Sequence, residues 1–356
     1  MKSIMFSTLV GLILVLFVSC KEQKSAETAK PKRAEFALAI HGGAGAMPKG
    51  SYTAEQEAAF HAKLKEAAQL GYEMLSRGDS AVDVVQAIIC VLEDSPLFNA
   101  GRGSVFTNNG KIKMDAAIMN GRNLDAGSVS NVQRIKNPIK VARMIMDSSK
   151  YIMFSSAGAE SFAEKYNIEK VDVSYFYTQH QYNRWKGMKD STEANYIKYV
   201  DSVMAIQHEP IALGNIIEKY GTVGCAVLDK HGNLAAGTST GGLMNKKYNR
   251  IGDSPVIGAG TYANNKTCAI SCTGTGEDFI KTVAAKTVAD LIEFKGFTLE
   301  EATHDMIHVR FKEITGDGGM IAVDQYGNIS FQYNTDGMFR AKVDAKGNIE
   351  TKIYNE

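Results

Sequence analysis

The chain has 356 residues, 44% of them hydrophobic and 22% charged, and its 40 basic and 39 acidic side chains leave a net charge of +1. That is the composition of a folded globular protein, long enough for one large domain or two ordinary ones. So even a balance gives no electrostatic footprint for nucleic acid or an anionic surface. After one early apolar run, no stretch is long and uninterrupted enough to span a bilayer.

That run comes first. Met1-Lys2 is followed by an apolar stretch over residues 5–18, and Ser19 precedes Cys20. This is the layout of a signal peptide over residues 1–19. Leu16-Phe17-Val18-Ser19-Cys20 resembles the lipobox of bacterial lipoproteins. It implies cleavage before Cys20, a lipid on its sulfur, and an exported protein of the periplasm or cell envelope that meets the membrane only through that anchor. A plain signal peptide with an incidental cysteine is the alternative. Residues 20–34 are polar and charged and read as a disordered tether. The remaining cysteines, Cys90, Cys225, Cys268 and Cys272, lie in apolar runs without a metal-ligand pattern and read as buried thiols.

The globular part, residues 35–356, opens with an apolar strand from Phe36 to Ile40 that ends in His41-Gly42-Gly43-Ala44-Gly45. Residues 53–77 have helical spacing, with Phe60, Leu64, Ala67, Ala68 and Leu75 on one face. Ser80 and Asp83 mark the start of a second helix through Leu92. Residues 93–103 form a turn-rich loop, residues 104–118 a hairpin around Asn108-Asn109-Gly110, and Asn137-Pro138 opens a helix to Ser148. Residues 166–210 lack a clean pattern and read as an exposed, mobile linker.

From Thr222 onward the pattern is mainly strand. Three segments, at 228–234, 323–329 and 343–349, repeat an apolar-Asp-x-x-Gly-Asn-apolar motif. Gly and Asn tolerate the left-handed backbone of tight turns, so each motif predicts an antiparallel strand pair. A helix over about 277–294, with Phe279, Val283, Ala284, Thr287 and Leu291 inward, and a second over 299–311 complete an α+β pattern of sheets covered by helices.

Three small-residue polar clusters fall in this half: Gly221-Thr222-Val223-Gly224, Thr238-Ser239-Thr240-Gly241-Gly242 and Thr273-Gly274-Thr275-Gly276. A threonine hydroxyl needs a base to act as a nucleophile. If the chain is cut at Gly221–Thr222, the new α-amino group, with an ordinary pKa of about 7.7–8, supplies that base. The first Gly-Asn turn pairs the strand after Thr222 with the strand ending at Thr240 and brings the two threonines together. Arg250 can hold a carboxylate through two parallel hydrogen bonds and Asp253 an ammonium, a pair suited to a free amino-acid end. A surface ion pair is the plainer reading of those two residues. Thr273-Gly274-Thr275-Gly276, between a strand and a helix, suits an oxyanion hole.

Together with HGGAG at 41–45, PLFNAGRGSVF at 96–106, MDAAIM at 114–119, AGSV at 126–129, RIGDSP at 250–255 and GAGTYANN at 258–265, these clusters resemble the plant-type L-asparaginase/isoaspartyl peptidase family of N-terminal-nucleophile hydrolases. The match runs in order over about residues 36–340. It implies an αββα four-layer sandwich with two central antiparallel sheets. It also implies self-cleavage into an α-subunit ending at Gly221 and a β-subunit starting at Thr222, assembled as an (αβ)₂ dimer. By position, Thr222 is the nucleophile and Thr240 hydrogen-bonds its hydroxyl. Arg250 and Asp253 bind the substrate's α-carboxylate and α-ammonium. Thr273 and Gly274 form the oxyanion hole, Gly242 and Gly276 line the pocket, and Asn99 supports it. The resemblance further implies a structural sodium ion on the carbonyls of Leu92, Glu93, Ser95, Phe98, Ala100 and Arg102, and no cofactor in catalysis. The substrates implied are L-asparagine and β-aspartyl dipeptides. A glycosylasparaginase, or an inactive surface-binding lipoprotein, are the competing readings. Gly221 where that relative has Asp, and Thr275 where it has Asn, favour the asparaginase side.

Overall fold

The computed structural model describes residues 32–189, 193–205 and 221–355. Residues 1–19, Cys20 and most of the tether lie outside them. From Arg33 on, the chain forms one unit, α+β with two sheets. The larger sheet holds β1 (Ala37–Gly45), β2 (Met114–Asn120), β3 (Ala126–Val132), β4 (Met153–Ser155), β5 (Val223–Leu228), β6 (Leu234–Thr240), β11 (Gly337–Val343) and β12 (Ile349–Tyr354). Its order is β12-β11-β1-β5-β6-β2-β3-β4, antiparallel except for β3 with β4. The smaller sheet has the order β10-β9-β8-β7, from β7 (Thr261–Ala263), β8 (Cys268–Gly274), β9 (Gly318–Asp324) and β10 (Ile329–Tyr333). The three Gly-Asn turns join β5 to β6, β9 to β10 and β11 to β12 as antiparallel pairs.

Alternation along the strands assigns each face to a core. In β1, Leu38 and Ile40 enter one apolar cluster with Phe60, Leu64, Val85 and Ile88, which come from the helices α1 (Ala54–Arg77) and α2 (Ala81–Glu93). Ala37 and Ala39 face a second cluster with Ile270, Cys272, Ile321 and Val323 of the smaller sheet. β5 divides in the same way, with Val223, Cys225 and Val227 in the first cluster and Ala226 and Leu228 in the second. In β1 the bulky side chains thus meet helices and the alanines meet the other sheet. Helix starts follow local chemistry. Thr53 and Gln56 form a capping box at α1, Ser80 caps α2, and Pro138 opens α3 (Pro138–Ser148).

Some expectations are corrected. Around Asn108-Asn109-Gly110 the hairpin shrinks to a single bridge, Phe106 to Ile112. After α4 (Ser156–Lys165), the described part of 166–210 is built rather than a linker: a 3-10 turn at Val173–Phe176, then α5 (Gln179–Lys186) and α6 (Ala194–Met204). Trp185 is fully buried there, 5.6 Å from the Phe106 ring, while Tyr177 donates to Gly110 O and Gln181 to Gly103 O. The helix over 277–294 splits into α7 (Gly276–Thr282) and α8 (Ala284–Lys295). Val283 is left-handed at φ 46° and 47% exposed rather than inward. The break lets Ala285 and Lys286 donate their backbone N–H to Ala259 and Gly258 carbonyls. The last helix, α9 (Leu299–His304), passes into a π turn at Asp305–Arg310 before α10 (Phe311–Glu313).

Candidate active site

Thr222 stands immediately before β5, and Thr240 ends β6. The register pairs Val223 with Ser239, which sets the two threonines opposite each other. Thr222 Oγ1 donates to Thr240 Oγ1 at 3.0 Å, and Gly242 N–H donates to the same oxygen at 2.9 Å. Asn99 holds the turn after β6: its Nδ2 donates to Gly242 O at 2.8 Å, and its carbonyl accepts from Gly241 N. On the other side of the Gly221–Thr222 junction lies the glycine-rich end of β1. A Cβ on Gly43, where φ is +115°, would stand 2.6 Å from Gly221 Cα and 3.1 Å from Thr222 N. Only glycine allows this approach. A bulge between His41 and Gly43 creates the bend.

Gly221, Thr222, Thr240, Gly242, Asn99, Arg250, Asp253 and Gly274 share one cleft. Its free volume is about 20 Å³, room for about one water molecule. At its far end Asp253 is buried, and its Oδ2 has no hydrogen-bond partner among the described residues. Burial is the main cause that pushes its carboxyl up to about 7. Arg250 donates from Nε and Nη2 to the two carboxylate oxygens of Glu277 at 2.8 and 2.7 Å. That pair uses one edge of a five-donor fork and leaves the other edge for a second carboxylate.

The remaining expected residues fall less evenly. Gly274 lines the cleft, whereas Thr273 is buried behind it and accepts from Ala44 N–H at 3.2 Å. Gly276 does not line the cleft. It makes room for the guanidinium, since a Cβ there would meet Arg250 Nη2 at 2.8 Å. The 92–102 loop is tightly wound: Cβ atoms on Gly101 and Gly103 would stand 2.2 Å from Glu93 O and 2.0 Å from Phe98 O. Among the described residues no cluster of three or more His, Cys, Asp or Glu side chains could hold a metal.

Sequence reasoning missed several residues. Glu277 carried no signal, because its partner is 27 positions away. His41, buried in an apolar strand, did offer one. Its Nε2 bonds Ser271 Oγ at 2.8 Å, Ser271 bonds Thr238 Oγ1 at 2.7 Å, and Thr261 Oγ1 donates to Thr238 at 2.6 Å and to Ser254 O at 3.1 Å. This buried chain runs from the strand beside Thr222 to the residue after Asp253. Burial lowers the His41 pKa to about 3, so its ring stays neutral. Lys246, also buried, donates to Lys113 O and lies 3.7 Å from Asp115, the residue paired with Thr240 across β2 and β6. Desolvation lowers its pKa.

The family model described as Asparaginase matches residues 34–353. The chain is 41% identical to the isoaspartyl peptidase of Salmonella typhimurium, over 90% of this chain and 98% of that one. It is 41% identical to a probable isoaspartyl peptidase/L-asparaginase 2 of Arabidopsis thaliana, over 90% and 99%. It is 38% identical to the plant-type L-asparaginase of Pyrococcus horikoshii, over 85% and 94%. These matches correct the envelope placement and the lipid anchor. With 98% and 99% of their lengths matched, the first two relatives have no room for a leader the size of residues 1–33. The family match itself begins at residue 34, and no helix among the described residues is long and apolar enough to cross a membrane.

Proposed function

The chain belongs to the asparaginase family and is a hydrolase, and from that premise we propose that it cuts itself at Gly221–Thr222 and then releases L-aspartate from L-asparagine and β-aspartyl dipeptides. One observation carries the reading. The Thr222 hydroxyl is aligned by Thr240 at 3.0 Å in the same cleft as Arg250 and a buried Asp253 oxygen that lacks a partner among the described residues. A substrate ammonium satisfies that oxygen and repays its desolvation. The substrate α-carboxylate takes the open edge of Arg250.

In self-cleavage Thr222 Oγ1 attacks the Gly221 carbonyl carbon and the peptide bond becomes an ester. The C–N bond breaks in that step and the nitrogen takes the hydroxyl proton, which frees the Thr222 amine. Water then hydrolyses the ester to a Gly221 carboxylate and the restored Thr222 hydroxyl. The contact of Gly43 with this junction supports the step. In turnover that amine takes the hydroxyl proton as Oγ1 attacks the substrate's side-chain carbonyl. The developing oxyanion faces the Thr273-Gly274 backbone. The departing amine takes the proton back. Water, activated by the same amine, then splits the β-aspartyl ester.

Gly101 in the 92–102 loop and Gly103 just after it are demanded by the nearby Glu93 and Phe98 carbonyl oxygens, which supports a sodium ion held by the carbonyls of Leu92, Glu93, Ser95, Phe98, Ala100 and Arg102. It would fix the loop that carries Asn99. We further read the two sheets and their helices as the middle and outer layers of an αββα sandwich, and the mature enzyme as an (αβ)₂ dimer. The test is to incubate the purified protein, sequence the fragment N-termini and assay aspartate release. A new chain beginning at Thr222, with release from either substrate, is expected. An intact, silent chain would overturn the reading.

A further inference from the structure

Asp253 owes its place to the backbone beneath it. Its Oδ2 has no partner among the described residues, and backbone hydrogen bonds at Asp253 and Ser254 are what favour its charged form beside the Arg250 charge. Val256 N–H donates to Asp253 O at 2.8 Å and closes a turn over residues 253–256. Gly260 lies against that turn: a Cβ there would stand 2.5 Å from Asp253 O and 2.7 Å from Asp253 Oδ2.

Two hydroxyls hold the next two carbonyls of the turn. Thr261 Oγ1, on β7 of the smaller sheet, donates to Ser254 O at 3.1 Å. Ser128 Oγ, on β3 of the larger sheet, donates to Pro255 O at 2.5 Å. Both residues are fully buried, where a made hydrogen bond is strong and an unmade one costly. Thr261 is fixed in turn by its 2.6 Å bond to Thr238, the near end of the chain that starts at the neutral His41 ring. The turn that carries Asp253 is thus tied to both sheets at successive residues.

We propose that Ser128 and Thr261 are positioning residues for Asp253 and, without touching substrate, set how tightly the site takes an α-ammonium. This rests on the amidohydrolase reading. An ammonium–carboxylate hydrogen bond is made at about 2.7–2.9 Å. With either hydroxyl removed, the turn loses its tie to one sheet and the carboxylate leaves that distance. Thr222 and Thr240 are held by strand register instead, so the effect falls on binding and not on the chemical step.

The test uses the matured full chain at pH 8, with kcat and KM on L-asparagine and competitive inhibition by L-aspartate and by succinate, which lacks only the ammonium. The unaltered protein should favour L-aspartate over succinate by roughly tenfold or more. Thr261→Val and Ser128→Ala should each cut that preference by roughly threefold or more and raise KM to match, with kcat nearly unchanged. Thr261→Ser restores the hydroxyl and should restore the preference. If Thr261→Val does not fold, Ser128→Ala and Thr261→Ser still decide. A preference unchanged in the folded variants, an equal loss for both inhibitors, or a loss that Thr261→Ser shares in full overturns the positioning role. If the unaltered protein neither cleaves asparagine nor favours L-aspartate, the amidohydrolase reading itself fails.

Discussion

At the Thr222 end of the cleft the working groups are neutral and already exchange hydrogen bonds: Thr222 with Thr240, Thr240 with Gly242, Gly242 with Asn99. At the Arg250 end they are charged, and Asp253 Oδ2 has no partner among the described residues. The first end depends on strand register, which fixes distances before any ligand arrives. The second carries an electrostatic deficit that a zwitterion removes. Changes at the first end should therefore act on the rate of bond making, and changes at the second on substrate capture and its pH dependence.

The largest effect expected is from Thr222→Ala, which removes the proposed nucleophile of both proposed reactions. No fragment should begin at residue 222, and turnover should fall by roughly 10⁴-fold or more, read by N-terminal sequencing and aspartate release. Gly43→Ala comes next. Its methyl would press on Gly221 Cα at 2.6 Å in a left-handed backbone. The strain of about 1–3 kcal/mol should slow cleavage by roughly ten- to a hundredfold, seen on a gel time course. An unchanged cleavage rate would break the claim that close packing governs this end.

Asp253→Asn keeps the shape but loses the charge. A loss of roughly 10²–10³-fold in kcat/KM is expected, carried mainly by KM. The pH sign follows from the raised carboxyl. Below about 7 the free Asp253 is protonated and cannot meet an ammonium, so kcat/KM should fall as pH drops through that value. Asp253→Asn should remove that part of the fall and leave only the part set by protonation of the Thr222 amine. The same shift means that this group's contribution to folding stability is present at low pH and is lost as pH rises through about 7. Glu277→Gln should be mildest. Glu277 is half exposed, and its pair with Arg250 is worth at most about 1 kcal/mol, so a change in KM of about two- to fivefold is expected.

What the sequence made legible follows the same division. Turn chemistry is local, so the Gly-Asn motifs identified the strand pairs, and the register of β5 on β6 followed from them. The split at Val283 was invisible because it answers carbonyls at Gly258 and Ala259, more than twenty residues upstream. The segment over 166–204 misled because its surface is polar, while a few aromatics, Phe176, Tyr177, Tyr182 and Trp185, do the burying. Glu277 shows the limit for ion pairs, whose partners are chosen by the fold and not by spacing along the chain.

The cleft around Gly221 and Thr222, with its 20 Å³ of free space, cannot admit an amino acid while the junction is intact. On the proposed mechanism an uncut chain is a latent precursor that keeps its own clock. Freshly made protein should show specific activity that climbs from near zero at constant protein concentration. Its course should follow first-order kinetics independent of dilution, because each chain would mature on its own.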